Sequence, residues 1–178
     1  MNGTGVSAML GIQNAPCLIV AAKDGGQTAS TVTYTNLTNM ISRLLGTSWR
    51  NAAWFVNQTV LPQLFGVYLA VGSSGGLPAP LTQAPDGSYR LFGLPLIVTE
   101  LAPVLSSQGD VGLYDMSRFV AGVREDLRVE VSRDFLFDSD QVAFRVVQRR
   151  DGMPVDDKAI TPAQGATTIG GFIALQAR

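Results

Sequence analysis

Few side chains in this sequence could do chemistry: one thiol, Cys17, two aspartate pairs and several glycine-rich turns. Cys17 has no histidine to turn it into a thiolate, because the chain contains no histidine. The same absence removes the usual general base near neutral pH and the commonest metal ligand. Serines therefore lack an imidazole partner, and no Ser-x-x-Lys pattern replaces it. Asp138-Ser139-Asp140 resembles the start of a calcium loop but lacks the glycine and closing glutamate. Asp156-Asp157 beside Pro154 reads as an exposed turn. Gly3-Thr4-Gly5 and Gly72-Ser73-Ser74-Gly75-Gly76 lack the Gly-Lys-Ser/Thr ending of a phosphate loop and read as flexible turns. These residues point to no catalytic, cofactor or metal site, and the expectation is that the protein is not an enzyme.

The elements around them follow from periodicity. Residues 17–22 form a short apolar strand with Cys17 as a small buried hydrophobe, followed by the turn Asp24-Gly25-Gly26. Leu37, Met40, Ile41, Leu44 and Leu45 repeat at i, i+3, i+4, i+7 and i+8, the stripe of one helix. Thr33 or Thr35 caps its start, and Gly46 is expected to close it in the left-handed conformation. Residues 52–56 read as a buried strand ending at Asn57, the cap of a second short helix with Pro62 near its beginning. Residues 72–88, rich in glycine and proline, read as a projecting contact loop. Strands are expected at 94–99, 111–114, 119–123, 127–131, 141–150 and 167–174. Helices and strands mix without a βαβ rhythm, so the fold class is α+β.

Composition limits the partners. The net charge is −1, so nothing neutralises a phosphate backbone and no specific nucleic-acid binding is expected. Arg124, Arg128, Arg133, Arg145, Arg149 and Arg150 alternate with Glu125, Asp126, Glu130 and Asp134, the pattern of ion pairs rather than of a basic groove. No apolar run reaches the roughly 20 residues of a membrane helix, and no secretory signal opens the chain, so a soluble protein made in a cytoplasm is expected. Only 15% of residues are charged, against roughly 25% in an average domain. A surface so neutral suits one that neighbours cover.

Several stretches, taken in order, resemble the tailed-bacteriophage major capsid proteins. The run Leu91-Phe92-Gly93-Leu94-Pro95-Leu96-Ile97-Val98-Thr99-Glu100 is similar to that family's Leu-x-Gly-x-Pro strand. Gly109-Asp110-Val111-Gly112-Leu113-Tyr114-Asp115 then matches its Gly-Asp strand. Residues 124–132, the long strand around Phe144-Arg145, Gly3-Thr4-Gly5 and residues 50–57 extend the likeness over most of the chain. The resemblance implies the Hong Kong-type capsid fold with two lobes. Residues 30–125 and 152–178 would build the axial lobe, and residues 1–29 and 126–151 the peripheral lobe. It implies a C-terminal portion lacking the N-terminal arm, the hairpin loop and the spine helix, and a prophage or phage capsid subunit made in the bacterial cytoplasm. Its partners would be copies of itself in hexamers or pentamers, then neighbouring capsomers, with no membrane and no cofactor. Arg124, Arg128, Glu130, Arg145 and Arg149 are the candidate inter-subunit contacts, with pairing inside one sheet as the alternative. Two other readings stay open: an encapsulin-like nanocompartment shell, and a non-viral ligand-binding α+β domain.

Overall fold

The structure, a computed structural model, describes residues 1–6, 8–71, 75–78, 81–135 and 137–178. Among the described residues, eleven strands and two α-helices follow in order: β1 (Ile19–Ala21), α1 (Tyr34–Ser42), β2 (Ala52–Val56), α2 (Leu61–Gly66), β3 (Tyr68–Val71), β4 (Gly75–Pro78) and β5 (Leu81–Gln83). Then come β6 (Tyr89–Leu91), β7 (Leu94–Val98), β8 (Val111–Asp115), β9 (Phe119–Ser132), β10 (Ala143–Pro154) and β11 (Phe172–Leu175). Seven of them form one mixed sheet in the order β1-β11-β8-β2-β7-β6-β5. β3 and β4 pair as one two-stranded unit, and β9 and β10 as another. The α+β class holds.

Strand alternation gives the sheet two buried faces. Leu113 pairs with Trp54 and Ile173, and all three enter the main core with Leu37 and Met40 of α1 and Leu64 of α2. Tyr114 and Phe172, one residue along, point the other way and pack with Ile12, Ala15 and Cys17. The first turns of the chain thus cover the sheet's second face. Trp54 is fully buried, and its indole N–H donates to the Leu91 carbonyl at 3.0 Å, so burial leaves no polar atom unpaired there.

Thr33 caps α1 with a reciprocal capping box: its hydroxyl accepts from the Asn36 amide, and the Asn36 side chain accepts from the Thr33 amide. Thr33→Ala should therefore cost about 1 kcal/mol, measurable as a lower urea midpoint. A substitution with no effect would mean the α1 packing stripe holds the helix without its cap.

Several expectations need correction. The helix ends at Ser42, before the stripe does, because Leu44 leaves the helix to bridge Gly170 and the Leu45 amide donates to the Gly170 carbonyl. Gly46 is not left-handed; it opens a 3-10 turn at Gly46–Arg50. The strands expected at 119–123 and 127–131 are one strand, β9, continuous through its charged middle because β10 pairs along it. Residues 72–88 are not all loop, since β4 and β5 lie within them. Residues 72–74 and 79–80 of that expected contact loop lie outside the described residues.

The expected lobe limit at 29/30 lies between β1 and α1, and the limit at 125/126 lies within β9. β1 pairs with β11, and Ile12, Ala15 and Cys17 share a core with Tyr114 and Phe172, so residues 1–29 pack with the sheet body. The β9–β10 hairpin forms a two-stranded sheet of its own, apart from the seven-stranded one.

Candidate interaction surface

The β9–β10 hairpin carries the residues singled out from the sequence. Its antiparallel register sets Val131 opposite Phe144, Glu130 opposite Arg145, Val129 opposite Val146 and Arg128 opposite Val147. Because side chains alternate across a strand, one face presents Val129, Val131, Phe144 and Val146, and the other presents Arg128, Glu130 and Arg145. The apolar face is bare: Val131 is 56% exposed and Phe144 69%. Exposed valines and a phenylalanine side by side are unusual on a solitary soluble domain and mark a contact surface.

The charged side is a chain of ion pairs. Arg128 Nε lies 3.2 Å from Glu130 and 3.7 Å from Glu125; Arg145 reaches Glu130 at 3.8 Å and Arg149 reaches Glu125 at 3.4 Å. Four of the five candidate residues are thus brought together in one hairpin. Arg124 is not in this chain, and among the described residues it has no carboxylate within 4.0 Å. Exposed pairs of this kind contribute little stability, so their main effect is to keep the long strands soluble and in register. Register shifts near Val147, Arg149 and Arg150 insert extra residues into β9 and bend the hairpin there.

Burial returns only at the hairpin's foot, at Gly152 and Pro154. There the structure places a pair that the sequence reading missed. The Arg118 guanidinium meets Asp156 in a fork, Nε to Oδ2 at 2.6 Å and Nη2 to Oδ1 at 2.5 Å. Asp156 is therefore an ion-pair partner rather than a free turn residue. Arg118 holds the Asp156 carboxyl below the usual carboxylate range, and Asp156 in turn raises Arg118. A depressed folded value means this contribution is complete above the ordinary Asp pKa and is lost as the pH falls through the folded one. No local signal marks the pair, since the partners are 38 residues apart.

Beside the foot runs an apolar groove of about 510 Å³, lined by Met1, Met9, Phe55, Ile97, Met116 and Phe119 among others. It holds no nucleophile–base arrangement. Asp138 and Ser139 sit exposed near the hairpin tip, joined by a 3.1 Å hydrogen bond. Among the described residues no group of three or more His, Cys, Asp or Glu side chains is arranged to hold a metal ion. Cys17 is buried as expected, and burial is the main cause of its raised pKa. Among the described residues no helix is long and apolar enough to cross a membrane.

A family model described as the phage capsid family matches residues 1–165. No curated protein matches the chain. Among solved structures, the chain is similar to the capsid of an empty GTA particle and to that of a native GTA particle, each with a TM-score of 0.65 and 16% identity. Each likeness covers 99% of this chain, and the chain spans 60% and 59% of the length of those two capsid chains. At this identity the likeness shows the fold.

Proposed function

The chain belongs to the phage capsid family, and we propose that it serves as a major capsid subunit of a phage or prophage head, a structural part that works by contact with copies of itself. One observation carries the reading: two strands of 14 and 12 residues project from the body with both faces largely exposed. A two-stranded hairpin is at best marginally stable alone, so one this long with a bare apolar face is built to be covered. In the assembled shell the hairpin contributes to the peripheral lobe and the seven-stranded body to the axial lobe around the ring centre. Copies of the chain, in pentamers or hexamers and then in neighbouring capsomers, are the partners, and the virion is the location. The fold of the GTA capsid chains supports this reading, as does a sequence whose charges nearly cancel.

In this reading Arg124, Arg128, Glu130, Arg145 and Arg149 face neighbouring subunits. Arg124, with no carboxylate within 4.0 Å among the described residues, is the one of the five left to pair across an interface. The pairs within one hairpin orient the others for exchange with a neighbour. Chemistry plays no part in this role, since repeated modest contacts around a closed ring give the affinity.

Negative-stain electron microscopy of the protein expressed from its full open reading frame tests assembly. Capsomer rings or closed shells are expected, and a monodisperse monomer at every concentration would sink the reading. Phe144→Asp separates assembly from folding. The side chain is exposed, so the unfolding free energy of the isolated chain should change by no more than a surface substitution does, about 0.5 kcal/mol. Rings should disappear, because a carboxylate would be buried unpaired at the contact. Intact rings from this variant would remove the apolar face from the interface.

A further inference from the structure

Among the described residues, the hairpin meets the body at its foot through a small set of hydrogen bonds and one ion pair. Val155 N–H donates to the Arg118 carbonyl at 2.8 Å, closing the two legs on each other. Leu10 N–H donates to the Gly152 carbonyl at 2.9 Å, strapping the N-terminal segment to β10. Asp115, at the end of β8, accepts from Ser117 at 3.0 Å and shapes the turn Met116–Arg118 that leads into β9. The Asp115 amide in turn bonds the Gly171 carbonyl at 2.8 Å. The Arg118 stem lies against Gly171, so closely that a Cβ there would meet its Cδ at 2.7 Å. Arg118 therefore touches the body through its stem and the far leg of the hairpin through its guanidinium.

We propose that the Arg118–Asp156 pair is a lock that sets the angle at which the hairpin leaves the sheet, with residues 116–118 and 155–156 as the hinge. The fork is directional: two parallel bonds fix the plane of the guanidinium against the carboxylate, which a single contact does not do. Small angular freedom at this point is magnified along the strands. A hairpin rising about 3.3 Å per residue over 11 steps is roughly 36 Å long, so a turn of about 10° at the foot moves its tip by roughly 6 Å. That displacement exceeds what a packed contact tolerates, so the lock decides whether the bare face of one hairpin is presented in one direction or in many. The groove shares Met116 and Phe119 with the foot, and a swing of the hairpin changes its width. Besides Asp156, the groups that act electrostatically on Arg118 are Asp115 from the end of β8 and Cys17 from the N-terminal segment.

The proposal concerns one chain and does not rest on assembly. Spin labels at Ala29→Cys on the body and Ser139→Cys near the hairpin tip report the angle as a distance distribution; both positions are exposed, and buried Cys17 stays unlabelled. The labelled chain should give one narrow distribution at neutral pH. Asp156→Asn, which keeps the shape and removes the charge, should broaden it and shift its mean. Arg118→Lys keeps the charge and loses the fork, and should broaden it to a smaller degree. Should Asp156→Asn fail to fold, the lysine variant decides the matter. Distributions that superimpose on the parent's in every folded variant would overturn the lock. Broadening alongside normal rings would leave the lock standing and separate it from assembly.

Discussion

Replacing Arg178 by methionine is expected to cost about 3–5 kcal/mol, the largest loss from any single charged residue in the chain. Arg178 and Asp110 form a fork with both side chains fully buried, Nη1 to Oδ1 at 2.9 Å and Nη2 to Oδ2 at 2.8 Å. Arg178 Nε also donates to the Thr31 carbonyl, while Asp110 accepts from the amides of Ser106 at 2.9 Å and Val111 at 2.8 Å. Three separate stretches of chain therefore meet on two side chains. Methionine would fill part of the space but leave the Asp110 carboxylate buried without its counter-charge. For a domain of this size the loss corresponds to a melting point lower by roughly 6–20 °C, read by calorimetry. Adding Asp110→Asn should recover part of it, since the amide oxygen still accepts from the backbone and no charge stays stranded. A cost under about 1 kcal/mol for Arg178→Met would mean water reaches the site.

The second large effect is expected at Gly112, where one methyl group should destabilise the chain by about 3 kcal/mol or more. Gly112 lies in β8 between β2 and β11, two residues before Tyr114 and so on the same face. The Tyr114 ring folds back over it, stacks on Phe55 with centroids 5.6 Å apart, and receives a 2.7 Å hydrogen bond from the Gln13 side-chain amide. A Cβ on Gly112 would lie far inside contact distance of Cζ, Cε2 and the hydroxyl oxygen of Tyr114. Neither side can yield: Tyr114 is fully buried, and β8 is paired along both edges. Burial also pushes the phenol's pKa above its ordinary value, so the hydroxyl stays protonated throughout the working range. Combining Gly112→Ala with Tyr114→Leu should cost less than the two changes summed, because the smaller side chain frees the space. Denaturant titration of the four proteins measures this coupling, and strict additivity would place the clash elsewhere.

Much of the framework was legible in the sequence because its signals are local. The spacing of Leu37 and Met40 marked α1, and Thr33 was one of the two threonines expected to cap its start; the structure selects Thr33. The apolar run from Ala52 to Val56 marked the buried β2, and the alternation in 127–131 marked the strand that bears the ion pairs. The joint order of the glycine and proline motifs carried the family resemblance, and the family match agrees with it. Where a local pattern ran into a non-local partner, it misled. The stripe predicted three more residues of helix, but the Leu45 amide donates to the Gly170 carbonyl and the Gly170 amide to the Arg43 carbonyl, across more than a hundred positions of sequence.

The interaction surface divided along the same line. The sequence alone determined which strands carry paired charges, since alternation of Arg and Glu with valine needs no knowledge of neighbours. It also excluded imidazole chemistry, because no histidine exists to perform it. Only the tertiary structure decided that Arg128, Glu130, Arg145 and Arg149 share one hairpin, that its apolar face stays uncovered, and that Arg118 finds Asp156 and Arg178 finds Asp110. The reason is physical. Helix caps and strand periodicity are set by residues within about four positions of one another, whereas a long-range ion pair depends on which strands the whole chain folds side by side.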